Sequence, residues 1–305
     1  MPELIDVAIV GGGPAGLAAA VTLGRSLRTV ALVDAASPRN RFSTHAHNVL
    51  GNEGISPADL LAKGREEAAS YGAALVDATV TRITGTRGDF TVFYDGGEVR
   101  ARRIVLATGL TDVLPELDGL AEGWGTDVLH CPYCHGYEVR GQKIAVIATD
   151  PGAAHQAKLF GNLSDHVTVV PLDHRPDEEE CAELTRLGVV VSGSTAARAV
   201  RENGALRGVE LADGTLVKAD AAVVAPLMRP NLELYESLGG RPETNSAGVK
   251  CVDTGEGGKT DIDGVWIAGN VSNIGAIVIS SAASGVSAGA AINMDLIEEA
   301  ARANG

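Results

Sequence analysis

The chain has 305 residues, 45% of them hydrophobic and 21% charged, with a formal net charge of -14. That length holds two domains with cores of their own, and a uniformly acidic surface repels phosphate backbones, which argues against nucleic acid as a partner. Four cysteines are too few for a disulfide scaffold. Met1 runs straight into an apolar strand with neither a basic segment nor a cleavage site, so a cytoplasmic location is expected.

Residues 5–10 form a short apolar run ending in glycines, 14–23 read as a helix, and 29–33 as a strand ending at Asp34. Together they make a βαβ unit of about thirty residues. Ser56 and Pro57 open a helix over 57–71, as N-cap and first helical residue. Short alternating strands follow over 74–99, turning at Thr86-Arg87-Gly88-Asp89 and Asp95-Gly96-Gly97. Residues 103–107 form a buried strand ending at Thr108-Gly109. The pattern then restarts with a strand at 143–147, a helix at 153–163 and a strand at 167–170. Two such starts imply an α/β fold with two Rossmann-like, three-layer dinucleotide-binding domains. The strand at 265–268 and the helix after it would complete the first unit. The second domain (116–240) is therefore expected as an insertion in the first (1–115 and 241–305). Residues 264–294 carry no charge and are long enough to span a bilayer. Asn270, Asn273 and many Gly, Ser and Ala argue instead for a strand, a loop and a buried helix, so no membrane span is expected.

Gly11-Gly12-Gly13-Pro14-Ala15-Gly16 satisfies G-x-G-x-x-G between strand and helix. Gly11 permits the tight turn, Gly13 lets a pyrophosphate approach the backbone, and Gly16 lets helix and strand pack closely. The phosphates meet the positive end of the helix dipole, and Asp34 is placed to accept from an adenosine ribose hydroxyl. Ile104-Val105-Leu106-Ala107-Thr108-Gly109 resembles the apolar strand plus A-T-G of FAD-binding disulfide reductases. Asp263-Gly264-Val265-Trp266-Ile267-Ala268-Gly269-Asn270 resembles their second FAD motif. Ala107, Thr108, Gly109, Gly269 and Asn270 thus join Gly11, Gly13, Pro14, Ala15, Gly16 and Asp34 as candidate FAD-binding residues. An acid normally follows the glycine in that second motif and holds the ribityl chain; the amide of Asn270 can still hydrogen-bond a hydroxyl.

His130-Cys131-Pro132-Tyr133-Cys134-His135 carries the chemistry. Two intervening residues let the thiols close a small disulfide ring. A neighbouring imidazolium lowers a thiol pKa and raises the thiolate fraction that attacks a disulfide or a flavin. Cys131, Cys134, His135 and His130 are the candidate catalytic residues, either histidine supplying the charge or moving the proton. The competing readings are two unpaired buried thiols, a zinc site, and a glutaredoxin-like motif. Four zinc ligands within six residues are cramped, so no metal is expected. The glutaredoxin motif should follow the first strand of a small domain. Cys181 and Cys251 lack a partner or spacing and are expected to be inert. His45 and His47, in the loop after the second strand, are extra candidates against a plain reading as surface histidines.

Nearly the whole chain resembles the low-molecular-weight thioredoxin reductase family, whose cysteine pair lies just before the second Rossmann strand, as Cys131 and Cys134 precede 143–147. The resemblance implies a homodimer, FAD, Cys134 as the flavin-facing sulfur, Cys131 as the sulfur that exchanges with substrate, and a flavin-proximal loop at His45 and His47. His135 stands where that family usually has an acid, which makes it the acid–base candidate. The second glycine loop, Ala148-Thr149-Asp150-Pro151-Gly152-Ala153, departs from the pattern. Side chains at Ala148 and Asp150 crowd a pyrophosphate, and like charges about 4 Å apart repel by roughly 1 to 4 kcal/mol. Arg175 stands nearly alone among acids where a basic cluster should hold a 2′-phosphate, so NADPH is not expected to bind. Flavin and dithiol without nicotinamide resemble the dithiol oxidases of the holomycin and gliotoxin type, and the Cys-Pro-Tyr-Cys-His-Gly stretch looks like theirs. That resemblance implies a small-molecule dithiol substrate and oxygen as acceptor, giving hydrogen peroxide. Two readings stay open: a protein-disulfide reductase fed by NADPH along an unusual route or by a ferredoxin-type donor and passing electrons to thioredoxin, and a non-catalytic flavin redox sensor.

Overall fold

The computed structural model describes residues 3–245 and 248–303. The chain divides into two compact units, one of Met1–Arg41, Val49–Thr111 and Met228–Gly305, the other of Phe42–Asn48 and Asp112–Leu227.

The first unit runs β1 (Leu4–Val10), α1 (Pro14–Arg25), β2 (Val30–Asp34), α2 (Pro57–Ser70), β3 (Ala74–Asp77), β4 (Val80–Thr86), β5 (Asp89–Tyr94) and β6 (Gly97–Leu106). Its sheet has the order β3-β2-β1-β6-β5-β4, with the strand Val265–Ile267 pairing parallel to β6. β1, β2, β3 and β6 are parallel, while β4 and β5 return antiparallel. Side chains alternate across this buried sheet. Val7 and Ile9 of β1 pack with Leu17 and Leu23 of α1 and with Ile292 and Leu296 of the C-terminal helix Val278–Ala303. Ala8 and Val10 face the other way, toward Phe90 and Val92 of β5 and Tyr235 of a short helix, Glu233–Ser237. Each fully buried side chain of this kind contributes about 1.5 to 3 kcal/mol. Ser56 caps α2 as expected, accepting from Asp59 N at 3.0 Å.

The C-terminal helix departs from the expectation of full burial. Ser281, Gly285, Ala288, Gly289, Ile292 and Leu296 form its inner face, while Ile279, Val286, Met294 and Ile297 are exposed. The helix also continues beyond the uncharged stretch, because its last turns meet a buried cation. Arg103, fully buried, donates from Nε to Asp295 Oδ2 at 2.6 Å, and its Nη2 lies 3.0 Å from Glu299 Oε1. Burial alone raises the pKa of Glu299, but hydrogen bonds and charge from Arg102 and Arg103 outweigh it and hold it at about 2. No helix among the described residues is long and apolar enough to cross a membrane.

The second unit contains β7 (Val128–Leu129), α3 (Pro132–His135), β8 (Ile144–Ala148), α4 (Gly152–Gly161), β9 (Val167–Pro171), α5 (Glu178–Arg186), β10 (Val190–Val191), β11 (Ala196–Glu202), β12 (Ala205–Leu211), β13 (Leu216–Lys218) and β14 (Ala221–Val224). A parallel sheet runs β10-β9-β8-β14-β7. Ile144 and Val146 of β8 pack on Phe160 of α4 and Leu184 of α5. Ala145 and Ile147 pack on Leu206, Val209 and Leu211 of the antiparallel sheet β11-β12-β13. Both units are therefore three-layered and Rossmann-like, the α/β class expected. The acids after Arg175 prove to have a structural task. Asp177 and Glu180 form a reciprocal capping box, and Glu178 and Glu179 sit in the first turn of α5, where its dipole favours negative charge.

Candidate active site

α1 starts directly from the glycine turn, with Gly13 as N-cap, Pro14 as its first residue and Ala15 buried behind. Gly11 has a φ of +104°, and a Cβ there would lie 2.3 Å from the Ala107 carbonyl oxygen; a Cβ at Gly16 would lie 1.9 Å from that of Gly11. Neither position admits a side chain. A Cβ at Gly13 would meet nothing within 4 Å, so the space before α1 is open. The first turn of α1 carries no acid. Such a helix end fits a pyrophosphate.

The other candidate FAD residues gather at the C-terminal ends of the parallel strands of this unit, where open α/β sheets bind ligands. Asp34 closes β2, and its Oδ1 accepts from Gly12 N at 2.9 Å while Arg65 Nη1 lies 3.8 Å from Oδ2. The carboxylate is thus aimed before any ligand arrives. Ala107, Thr108 and Gly109 follow β6, and Thr108 Oγ1 donates to the Asn231 carbonyl while Asn231 Nδ2 donates to that of Thr108, both at 2.8 Å. Gly269 N donates to Ser284 Oγ at 2.9 Å. Asn270 Nδ2 donates to the carbonyls of Asn273, Ile274 and Ala276 at 3.1, 3.3 and 2.8 Å. The amide group braces the loop, which turns Oδ1 into the atom that can accept from a hydroxyl, as an acid would.

In the second unit Cys131 and Cys134 are joined as a disulfide with Cα atoms 5.2 Å apart. Cys131 is the N-cap of α3, and its carbonyl accepts from Cys134 N at 3.3 Å and His135 N at 3.1 Å. Both sulfurs sit on half-buried residues. Among the described residues no group of three or more His, Cys, Asp or Glu is placed to hold a metal ion. Cys181 and Cys251 are free thiols donating to the carbonyls of Pro176 and Glu243.

The segment Phe42–Asn48 belongs to this same unit and meets α3. Asn48 Nδ2 donates to the Tyr133 carbonyl at 2.8 Å, His47 Nε2 lies 3.4 Å from Glu138 Oε1, and Ser43 Oγ lies 2.7 Å from His135 Nε2. His45 is exposed, its ring 6.3 Å from that of His47. Ser43, Asn48 and Glu138 carried no signal in the sequence; only their neighbours His45 and His47 did. Burial lowers the pKa of His135, the charges of His47 and His45 lower it further, and Glu138 opposes them. The balance favours the neutral imidazole of His135. His130 Nδ1 lies 3.2 Å from the Val224 carbonyl and 3.3 Å from Gln156 Nε2. Gln156 Nε2 donates to the His130 carbonyl at 2.7 Å.

A family model for pyridine nucleotide-disulphide oxidoreductases matches residues 5–294. The chain belongs to that family. It is 32% identical over 285 residues to the thioredoxin reductase aclD of Aspergillus oryzae, spanning 88% of each chain. The crystal structure of HlmI is similar with a TM-score of 0.93 at 38% identity, over 100% of this chain and 96% of that one. An oxidoreductase from Agrobacterium tumefaciens is similar with a TM-score of 0.90 at 35% identity, over 97% and 99%. This pyridine nucleotide-disulphide oxidoreductase is thus a thioredoxin reductase-like thiol/disulfide enzyme from a family of flavoproteins.

In its second glycine loop Asp150 Oδ1 accepts from Gly152 N at 2.6 Å, so a carboxylate sits on the first turn of α4. Arg175 donates from Nη1 to the Ser192 carbonyl and from Nη2 to that of Gly193, both at 3.0 Å.

Proposed function

We propose that the chain is an FAD-dependent dithiol oxidase that closes a disulfide in a small-molecule dithiol and hands the electrons to oxygen, giving hydrogen peroxide. The observation that carries this reading over an NADPH-fed reductase is the Asp150 carboxylate on Gly152 N. It places the protein's own negative charge on a helix N-terminus whose N–H groups would otherwise receive a pyrophosphate. Two of the Arg175 donors are likewise held by backbone carbonyls.

FAD, when bound, supplies a two-electron acceptor that reacts with oxygen. Gly11, Gly13, Pro14, Ala15 and Gly16 would hold its pyrophosphate, Asp34 the adenosine ribose, and Ala107, Thr108, Gly109, Gly269 and Asn270 the flavin-bearing half. The cycle starts from the Cys131–Cys134 disulfide. A substrate thiolate attacks Cys131 Sγ, the S–S bond breaks, and Cys134 leaves as a thiolate. The second substrate thiol then attacks the substrate sulfur of the mixed disulfide and releases the cyclic product. Two electrons now rest on the pair and two protons have left the substrate. His135 takes the first proton, and His130 is the second candidate acceptor. Family likeness supports Cys131 as the exchanging sulfur and Cys134 as the one that reduces the flavin.

A homodimer and a cytoplasmic setting are part of this reading. The exposed Ile279, Val286, Met294 and Ile297 support the former, the two free thiols the latter. The name thioredoxin reductase carried by aclD favours a second reading, reduction of a protein disulfide. Oxygen uptake with dithiothreitol separates the two. The oxidase consumes oxygen and forms one peroxide per disulfide; turnover that needs NADPH and thioredoxin, with no oxygen uptake, would replace it by the reductase.

A further inference from the structure

We infer that Ser43 is a positioning residue that fixes His135 in the tautomer whose Nδ1 is the proton acceptor for thiol exchange at Cys131. The inference follows from counting protons on one hydroxyl. Ser43 Oγ lies 2.7 Å from the His45 carbonyl oxygen and 2.7 Å from His135 Nε2. A carbonyl oxygen has no proton to give, and a hydroxyl has one. That proton therefore goes to the His45 carbonyl, and the lone pair left on Oγ faces His135. The hydrogen in the second contact must come from Nε2. A neutral imidazole carries one N–H, so Nδ1 is left bare.

Ser43 is itself held in place. The same segment is fastened to α3 by Asn48 Nδ2 on the Tyr133 carbonyl at 2.8 Å and by the approach of His47 to Glu138 at 3.4 Å. The ring of His135 is thus anchored at its far nitrogen, in the turn that carries Cys134. The ionisable groups that face it are Glu138, His47 and His45. Ser43 does not titrate; its effect is on where the proton sits, not on how many there are.

The inference rests on the reading of His135 as the base. In that role Nδ1 accepts the proton of the substrate thiol. The thiolate forms its bond to Cys131 Sγ as the Cys131–Cys134 bond breaks, and Cys134 keeps the electron pair. A ring free to turn or to exchange tautomers would offer a base in only part of the molecules, and misplacement of a catalytic group by about 1 Å can cost about a hundredfold.

The test uses oxidised, flavin-loaded protein with 15N-labelled histidine, the His135 resonances being assigned by their loss in His135→Gln. Long-range proton–nitrogen spectra at neutral pH should show a protonated Nε2 and a bare Nδ1 in the wild type. In Ser43→Ala the Nε2 proton should lose its protection from exchange with water. The rate of anaerobic flavin bleaching by dithiothreitol should fall about tenfold. The acid limb of its pH profile should move to lower pH, because a hydrogen bond that favours the imidazolium is gone. Ser43→Thr should restore all three. A wild-type ring protonated on Nδ1 overturns the inference whatever the variants do, and so does Ser43→Ala with an unchanged rate and acid limb. Failure of dithiothreitol to reduce the protein at all would count against the oxidase, while the wild-type tautomer would still decide for or against Ser43.

Discussion

At the start of α1 a Cβ on Gly13 would meet nothing within 4 Å, and Asp34 waits at the end of β2. At the start of α4 the same strand–turn–helix carries Asp150, whose Oδ1 lies 2.6 Å from Gly152 N, and Arg175 beyond β9 donates to two carbonyls. Yet β8 alternates its side chains between two cores just as β1 does. Packing of strand against helix and capture of a phosphate are separable properties of one motif. A chain can keep the first as scaffold and lose the second.

Gly16→Ala should break the open loop most severely. Its Cβ would fall 1.9 Å from the Gly11 carbonyl oxygen, so the turn cannot close and the purified protein should be colourless, as read from its visible absorbance. Ala153→Gly, the matching change in the second loop, should leave the flavin content as it is. Asp34→Ala should weaken FAD by about 10- to 100-fold, the worth of one hydrogen bond to a charged group, about 1.5 to 3 kcal/mol. Fluorescence titration of apoprotein measures it. Asp150→Gly should raise NADPH affinity about tenfold by calorimetry, since the repulsion removed is roughly 1 to 4 kcal/mol while Arg175 still donates to its two carbonyls.

Acid should separate the two units by a smaller effect. His135, in the second, has a pKa lowered by burial, so it favours folding above the ordinary histidine value of 6.5, and that contribution is lost as the pH falls below it. Glu299, in the first, is held at about 2 against an ordinary 4.5, so its contribution is lost only as the pH falls from 4.5 toward 2. It is about 1 kcal/mol, since its carboxylate is partly exposed. Trp124 and Trp266 lie in different units, and urea midpoints followed through each in turn, with the other replaced by Phe, should show the two onsets.

What could be read from the chain was local. The glycine turn, Asp34, the Ser56 cap and the Cys131–Cys134 spacing each announce themselves within a few residues. The identities of Asp150 and Arg175 were legible, but not that each has found a partner in its own unit. Asp177 and Glu180 have capping-box spacing, yet in an acidic run they read as charge alone, and α5 was missed. The uncharged stretch before Met294 suggested a buried helix; small residues let one face pack closely without burying the other. Ser43 was out of reach, because its contact with His135 joins positions 92 residues apart and no periodicity links them.

The central claim is that electrons enter through sulfur and not from a nicotinamide. Anaerobic titration of the flavin's visible absorbance tests it most directly. A small dithiol should bleach the flavin rapidly while equimolar NADPH leaves it yellow. Rapid bleaching by NADPH, with the dithiol inert, would contradict it.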